Sequence, residues 1–352
     1  MSTARENKLL DYRSDTVTRP TAGMLDAMMR ADVGDDVYGE DPTVRQLEEA
    51  TAAWFGMEAG LYCPSGTMTN QIAIKLHTQP GDEVVCDRLA HIYNYEGGGI
   101  AFNAGASVRL IDGDRGRMTA AQVAANLNPD DLHFPPSTLV ALENTVNKGG
   151  GCCYPLAQMQ EVAALCRQRG IACHLDGARV FNALVATGDD PKAYGQCFDT
   201  ISVCFSKGLG APVGSVLIGS AQALHKARRY RKVFGGGMRQ AGYIAAGALY
   251  ALHHQVDRLA DDHRRAAQLA KALTGLEYVG EVYPAETNIV IFSLREGLAP
   301  ADLLAYLRAR GILASGFGPK HIRMVTHLDI DDVMLTQTLE ALQAYAPQGV
   351  TL

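Results

Sequence analysis

Between Ala59 and Gly219 the sequence alternates short apolar runs with stretches of helical periodicity, and this alternation restricts the chain to crossover units built on a mostly parallel sheet. The runs are Leu61–Cys63, Glu83–Cys86, Val108–Ile111, Leu139–Glu143, Ala172–Leu175, Thr200–Cys204 and Ser215–Ile218. Most are apolar at every position, as strands covered by helices on both sides must be. Between them, Leu156–Arg169 reads as a helix closed by Gly170. Upstream, Asp41 and Pro42 read as the N-cap and first turn of a helix with the apolar stripe Val44, Leu47, Trp54 and Phe55. Downstream, Ala221 to Leu273 is helical in pattern. Then Thr287–Phe292, Ala301–Ala309, Ile322–Val325 and Asp331–Tyr345 read strand, helix, strand, helix. The expectation is an α/β fold: residues 1–245 form a large domain on a seven-stranded sheet, and residues 246–352 a smaller α+β domain.

The 352 residues are 47% apolar and 20% charged, enough for large cores and unlike a disordered chain. A net charge of −6 offers no broad basic field, so nucleic acid is excluded as the main partner. The eight cysteines form no C-x-x-C pair, and several lie in apolar runs, which reads as reduced, packed thiols. Met1–Leu10 lacks the apolar core of a signal peptide, and the greasiest stretch, Gly242–Leu252, is too short to span a bilayer. No membrane partner and a cytoplasmic protein are expected.

Three segments could do chemistry at the same edge of such a sheet. Tyr62-Cys63-Pro64-Ser65-Gly66-Thr67 is a strand, a small-residue turn and a helix start, whose N–H groups would suit a phosphate or merely carry an ordinary cap. His174-Leu175-Asp176-Gly177-Ala178-Arg179 sets a carboxylate at a strand end, where open parallel sheets bind ligands and where capping aspartates also sit. Ser206-Lys207-Gly208-Leu209-Gly210 sets a lysine after another strand, alone no more than a solvated side chain. Together, an anion anchor, an acid and an amine are what pyridoxal phosphate needs: a phosphate site, a partner for the pyridine nitrogen and a Schiff-base lysine.

With these, the segments Arg13-Ser14-Asp15-Thr16, Gly34-Asp35-Asp36-Val37-Tyr38-Gly39, Ala90-His91 with Tyr95-Glu96, Gly235-Gly236-Gly237-Met238-Arg239 and Arg323-Met324-Val325-Thr326-His327 occur in order along almost the whole chain. The sequence thereby resembles the low-specificity L-threonine aldolases, a family of fold-type-I pyridoxal phosphate enzymes. The resemblance implies that Lys207 forms the Schiff base, that Asp176 pairs with the pyridine nitrogen, and that Ser65, Gly66 and Thr67 hold the phosphate. It further implies that Ser14, Arg179 and Arg323 bind the substrate carboxylate, with Tyr38 and Tyr95 beside it. His91 would lie over the cofactor ring and shuttle protons, and His133 would be a second histidine near the substrate hydroxyl. Residues matching Lys232 and Arg239 reach the cofactor phosphate of a neighbouring subunit, which implies a homo-oligomer, a tetramer with shared sites. The glycines at 235–237 would then let that loop approach the other chain. No metal is implied.

One departure stands out. Relatives carry Glu-Asn-Thr-His-Asn where this chain has Glu143-Asn144-Thr145-Val146-Asn147, so whatever proton role that histidine plays is missing or moved. The implied activity is cleavage of L-threonine or L-allo-threonine to glycine and acetaldehyde. The alternative is another fold-type-I lyase or an aminotransferase acting on a small amino acid. A nucleotide-dependent dehydrogenase is disfavoured, because no G-x-G-x-x-G joins a first strand to a helix.

Overall fold

The computed structural model describes residues 9–347, so the stretch Met1–Leu10 discussed above lies almost wholly outside the described residues. The strands, in chain order, are β1 (Leu10–Asp11), β2 (Ala59–Cys63), β3 (Glu83–Asp87), β4 (Ser107–Ile111), β5 (Ser137–Glu143), β6 (Ala172–Gly177), β7 (Thr200–Cys204) and β8 (Ser215–Gly219). They are followed by β9 (Val279–Val282), β10 (Ile289–Leu294), β11 (Ile312–Leu313), β12 (Ser315–Phe317) and β13 (His321–Val325). Seven of them form one sheet in the order β2-β8-β7-β6-β5-β3-β4. All neighbours in it are parallel except β8, which runs against both β2 and β7.

Every residue of β3, β7 and β8 is buried, because helices cover both faces. A side chain taken wholly out of water, such as Val85, Ile201 or Leu217, contributes about 1.5–3 kcal/mol. The helix Leu156–Arg169 ends on Gly170, whose φ of 66° is the left-handed turn that glycine adopts without cost. The helix Pro42–Trp54 starts on Asp41, whose Oδ1 accepts from Val44 N at 3.0 Å. Val44, Leu47 and Phe55 are buried beneath it, while Trp54 is half-buried.

A four-stranded antiparallel sheet, β12-β13-β10-β9, carries the second core, packed by the helices Leu259–Thr274, Pro300–Arg308 and Asp332–Gln343. The two cores do not divide at residue 245. Ala245, Ala248, Ala251 and Leu252 of the helix Gly242–His254 belong to the first core, and the second begins at Ala266. It also takes in Leu10 and Tyr12, because β1 pairs in parallel with β11, far along the chain. The helix at 242–254 stays with the large sheet because Asp41 Oδ2 accepts from Gly242 N at 2.8 Å.

Parallel strands put their carboxyl ends on one edge. Glu143 stands opposite Asp176, and Asp176 opposite Ser202. Ser215, the first residue of β8, is the register partner of both Cys63 and Cys204. The turn at Ser65 and the loop at Lys207 therefore leave the sheet on either side of one residue. Among the described residues no helix is long and apolar enough to cross a membrane.

Candidate active site

The turn after β2 begins the helix Gly66–His77, with Ser65 Oγ accepting from Met68 N at 3.2 Å. The N–H groups of Gly66 and Thr67 fall in the first turn, where an α-helix supplies no acceptor and its dipole favours an anion. The strand leading there is held at both polar groups of one residue. Tyr62 N donates to Glu48 Oε1 at 2.8 Å, and Tyr62 O accepts from Arg231 Nη1 at 2.7 Å. The buried Ser215 Oγ has no partner among the described residues, and a Cβ added at Gly66 would lie 3.5 Å from it.

At the end of β6, Asp176 Oδ1 accepts from Ala178 N at 3.1 Å and Oδ2 from Asn70 Nδ2 at 3.0 Å. The same amide nitrogen donates to Glu96 Oε1 at 2.8 Å, and Gln71 donates to Glu96 Oε2 at 2.6 Å. Glu96 Oε1 also faces His91 Nδ1 at 3.0 Å. A carboxylate accepts at that contact, so Nδ1 carries the proton and Nε2 keeps its lone pair. Burial alone would hold the imidazole pKa down; the bond to Glu96, and the charges of Asp176 and Glu143, raise it above the ordinary value. Glu143, wholly buried, is pushed up to about 7 by desolvation and by Asp176. Its two oxygens accept from His91 N at 2.7 Å and Asn147 N at 2.8 Å, tying together two segments that wall the cavity.

That cavity, of about 350 Å³, is lined by Ser14, His91, Tyr95, Asn147, Arg179, Lys207, Phe317 and Arg323, among others. Lys207 enters from a loop fixed at its carbonyls: Thr18 Oγ1 donates to Lys207 O at 3.1 Å and Arg258 Nη1 to Gly208 O at 3.0 Å. Arg323 donates to Asn147 Oδ1 at 3.0 Å and Arg13 O at 3.2 Å, while its buried Nε has no partner among the described residues. Burial and the nearby Arg179 push this guanidinium below its ordinary value. It is a desolvated cation with a donor to spare, a fitting receptor for a carboxylate. Arg179 differs from the sequence reading, since two of its nitrogens are already engaged by Asp15. Only the remaining edge can face a substrate.

Asp176 and the turn of Ser65, Gly66 and Thr67 lie at the same sheet edge but off the lining of this cavity, Asp176 with a carboxylate oxygen within 4.8 Å of a His91 ring nitrogen, and four further expected site residues are placed elsewhere by their own chain. His133 is exposed and pairs with Asp131 at 2.8 Å on a surface turn. Tyr38 and Lys232 line a separate cavity of about 550 Å³ with Arg228 and Arg231, and Arg239 pairs with Asp35 at 2.8 Å. The close approach made by the glycine loop is within the chain, because Gly236 packs on Met68 in the first turn of the helix Gly66–His77. Val146 points into the core against Gly116 and is buried, so the place of the missing histidine is not on the cavity wall.

Asp15, Asn70, Gln71, Glu96, Glu143 and Asn147 had no role in the sequence reading. The available signals were two adjacent amides on the face of a helix that otherwise buries Ile72 and Ile74, and a glutamate closing the apolar run of β5.

An amine, carboxylates around a histidine, a guanidinium with an unpaired Nε and a helix start at one sheet edge form the donor set of pyridoxal phosphate and an amino acid. Lys207, Asp176 and the Ser65–Thr67 turn are the residues that would hold the cofactor. Fold and site define a fold-type-I pyridoxal phosphate enzyme.

Residues 11–296 match the model of the beta-eliminating lyase family. The low specificity L-threonine aldolase of Escherichia coli K12 is 41% identical over 338 residues, covering 96% of this chain and 99% of that one. Low-specificity L-threonine aldolase 1 of Arabidopsis thaliana is 40% identical, covering 95% of each chain. Among solved structures, the Leishmania major threonine aldolase superposes with a TM-score of 0.84 at 21% identity over 95% of this chain and 98% of that one, which speaks to the fold. The chain belongs to the low-specificity L-threonine aldolase family.

Proposed function

We propose that this protein cleaves L-threonine and L-allo-threonine between Cα and Cβ, releasing acetaldehyde and leaving glycine. The observation that carries this reading is a single cavity walled by Lys207, His91 and Arg323. Pyridoxal phosphate, when bound, supplies the electron sink for the pair left on Cα. Arg323, through its unpaired Nε, and Ser14 and the free edge of Arg179 hold the substrate carboxylate. His91 Nε2 accepts the β-hydroxyl proton, directly or through water, as the Cα–Cβ bond breaks and the C–O bond becomes a carbonyl. Asp176 would pair with the pyridine nitrogen of the bound cofactor, and a proton returned to Cα completes glycine. Val146 takes no part.

Tyr38, Lys232 and Arg239 act in this reading at the site of a second copy, in a homotetramer, and any part for His133 needs the same arrangement. Large exposed apolar side chains, Met29 at 79%, Phe102 at 89% and Leu132 at 93%, support subunit contact. Eight free, buried thiols support a reducing, cytoplasmic setting.

The test is acetaldehyde release from L-threonine and L-allo-threonine, without keto acid or folate, by wild type and Lys207→Ala. Wild type is expected to show a visible cofactor band and turnover, and Lys207→Ala neither. A colourless wild type, or a variant as fast as wild type, overturns the reading. Hybrids of Lys207→Ala and Lys232→Ala chains are expected to recover activity that neither variant has alone; hybrids as inactive as the parents refute the shared site.

A further inference from the structure

Asp176 and Glu96 come from distant parts of the chain, yet a ligand atom of each and a nitrogen of His91 all lie within 4.8 Å of one another. Two carboxylates this close in a buried site repel each other and need shared donors to stay in place. One amide supplies both. Asn70, 2% exposed, gives one N–H to Asp176 Oδ2 and the other to Glu96 Oε1. We propose that Asn70 is a positioning residue for the reaction: it holds the carboxylate that faces the cofactor ring and the carboxylate that orients His91 in one register.

The orientation of this amide is set by the two carboxylates and matched from behind. Its nitrogen faces two acceptors, so its oxygen must meet a donor, and His174 Nε2 lies 3.1 Å from Asn70 Oδ1. Total burial pushes His174 down to about 4, so the ring is neutral, and the two carboxylates on the Asn70 nitrogen assign its one proton to Nε2, opposite the amide oxygen. Nδ1 lies 2.9 Å from the Thr200 hydroxyl and 3.1 Å from the Thr200 carbonyl, and that hydroxyl in turn is 3.1 Å from His77 Nε2. The two carboxylates thus fix which way Asn70 points, and a line of groups running back through the sheet stands behind its oxygen. A leucine or alanine at 70 would leave His174 Nε2, Asp176 Oδ2 and Glu96 Oε1 each short of a partner, the costly side of hydrogen bonding in a buried place. Gln71 is the natural contrast, because it reaches Glu96 but not Asp176.

This inference rests on the functional reading above, which the wild-type assay tests first. Holoenzymes of wild type, Asn70→Ala and Gln71→Ala are compared in two titrations: the pH profile of kcat/KM, which reports His91, and the visible absorbance of the bound cofactor against pH, which reports the Asp176 side. Glu96, Asp176 and Glu143 are the acidic groups that face His91. Asn70→Ala is expected to lower kcat at least tenfold, to move the acid limb of the profile to lower pH, and to shift the absorbance midpoint by half a pH unit or more. Gln71→Ala is expected to move the acid limb and leave the absorbance midpoint in place. Should Asn70→Ala fail to fold, Asn70→Ser carries the test, since one hydroxyl can reach only one carboxylate and must lose one of the two responses. An active enzyme in which Asn70→Ala shifts the absorbance no more than Gln71→Ala, or in which neither Asn70 variant folds, overturns the assignment and leaves Asn70 a purely structural residue.

Discussion

The carboxylate of Asp15 grips the guanidinium of Arg179 twice, Oδ2 on Nε at 2.8 Å and Oδ1 on Nη2 at 2.7 Å, with both side chains almost wholly out of water. Burial works against the ionised acid, but Arg179 and the nearby Lys207 amine hold Asp15 well below the usual carboxylate range. Breaking such a pair from one side strands a charge, which costs about 3–5 kcal/mol. Asp15→Ala is expected to lower the unfolding free energy by about that amount and to raise KM for threonine, as measured by denaturant titration and steady-state kinetics. An unchanged midpoint with unchanged KM contradicts the pairing.

The pH profile follows from His91. Its pKa is raised, so the neutral imidazole needed as a base is lost as pH falls through a value above the ordinary 6.5. The acid limb of kcat/KM is expected above 6.5 in wild type. Glu96→Gln removes the bonded charge and should carry the limb downward. A limb that stays put in this variant places the titrating base elsewhere.

Arg323→Lys keeps the charge but not the planar fork that reaches Asn147 and Arg13 together. KM for threonine is expected to rise about tenfold or more, equivalent to about 1.4 kcal/mol, with the fold intact by circular dichroism. A KM within twofold of wild type contradicts the carboxylate role.

Gly210 ends the lysine loop at φ 80°, and a Cβ there would meet Leu328 Cδ2 at 2.8 Å. Gly210→Ala therefore pays in backbone strain and crowding, about 1–3 kcal/mol together. The loop that carries Lys207 is expected to shift, seen as weaker cofactor retention on dialysis.

All eight thiols are buried, and Cys63 and Cys153 are both pushed up to about 12 by desolvation. A chromogenic thiol reagent is expected to find none within minutes in the native protein and all eight after unfolding in denaturant.

What could be read beforehand and what could not follow from the range of the interactions. The helix Leu156–Arg169 and the strand Thr200–Cys204 lie where the pattern puts them, because burial on a helix face or between helix layers writes itself into neighbouring residues. Val279–Val282 escaped because Gly280 and Glu281 are exposed there, and β1 because two residues paired with Ile312 and Leu313 carry no periodicity. Within the site, Lys207 and Asp176 could be singled out since each follows an apolar strand. The contacts of Asn70 with Glu96, and of Asp15 with Arg179, join segments 26 and 164 residues apart, and nothing local marks them.

Ser215 has one further consequence. Because the same residue sets the register of the strands on either side of it in space, the spacing between the Ser65 turn and the Lys207 loop passes through β8. A single inserted or deleted residue in Ser215–Gly219 would slip the edge strand β2 against β7, which β6 holds on its other side, and so put the Ser65 turn out of step with the Lys207 loop. Tolerance to length changes, generous in the surface connections of such a fold, should vanish across these five positions.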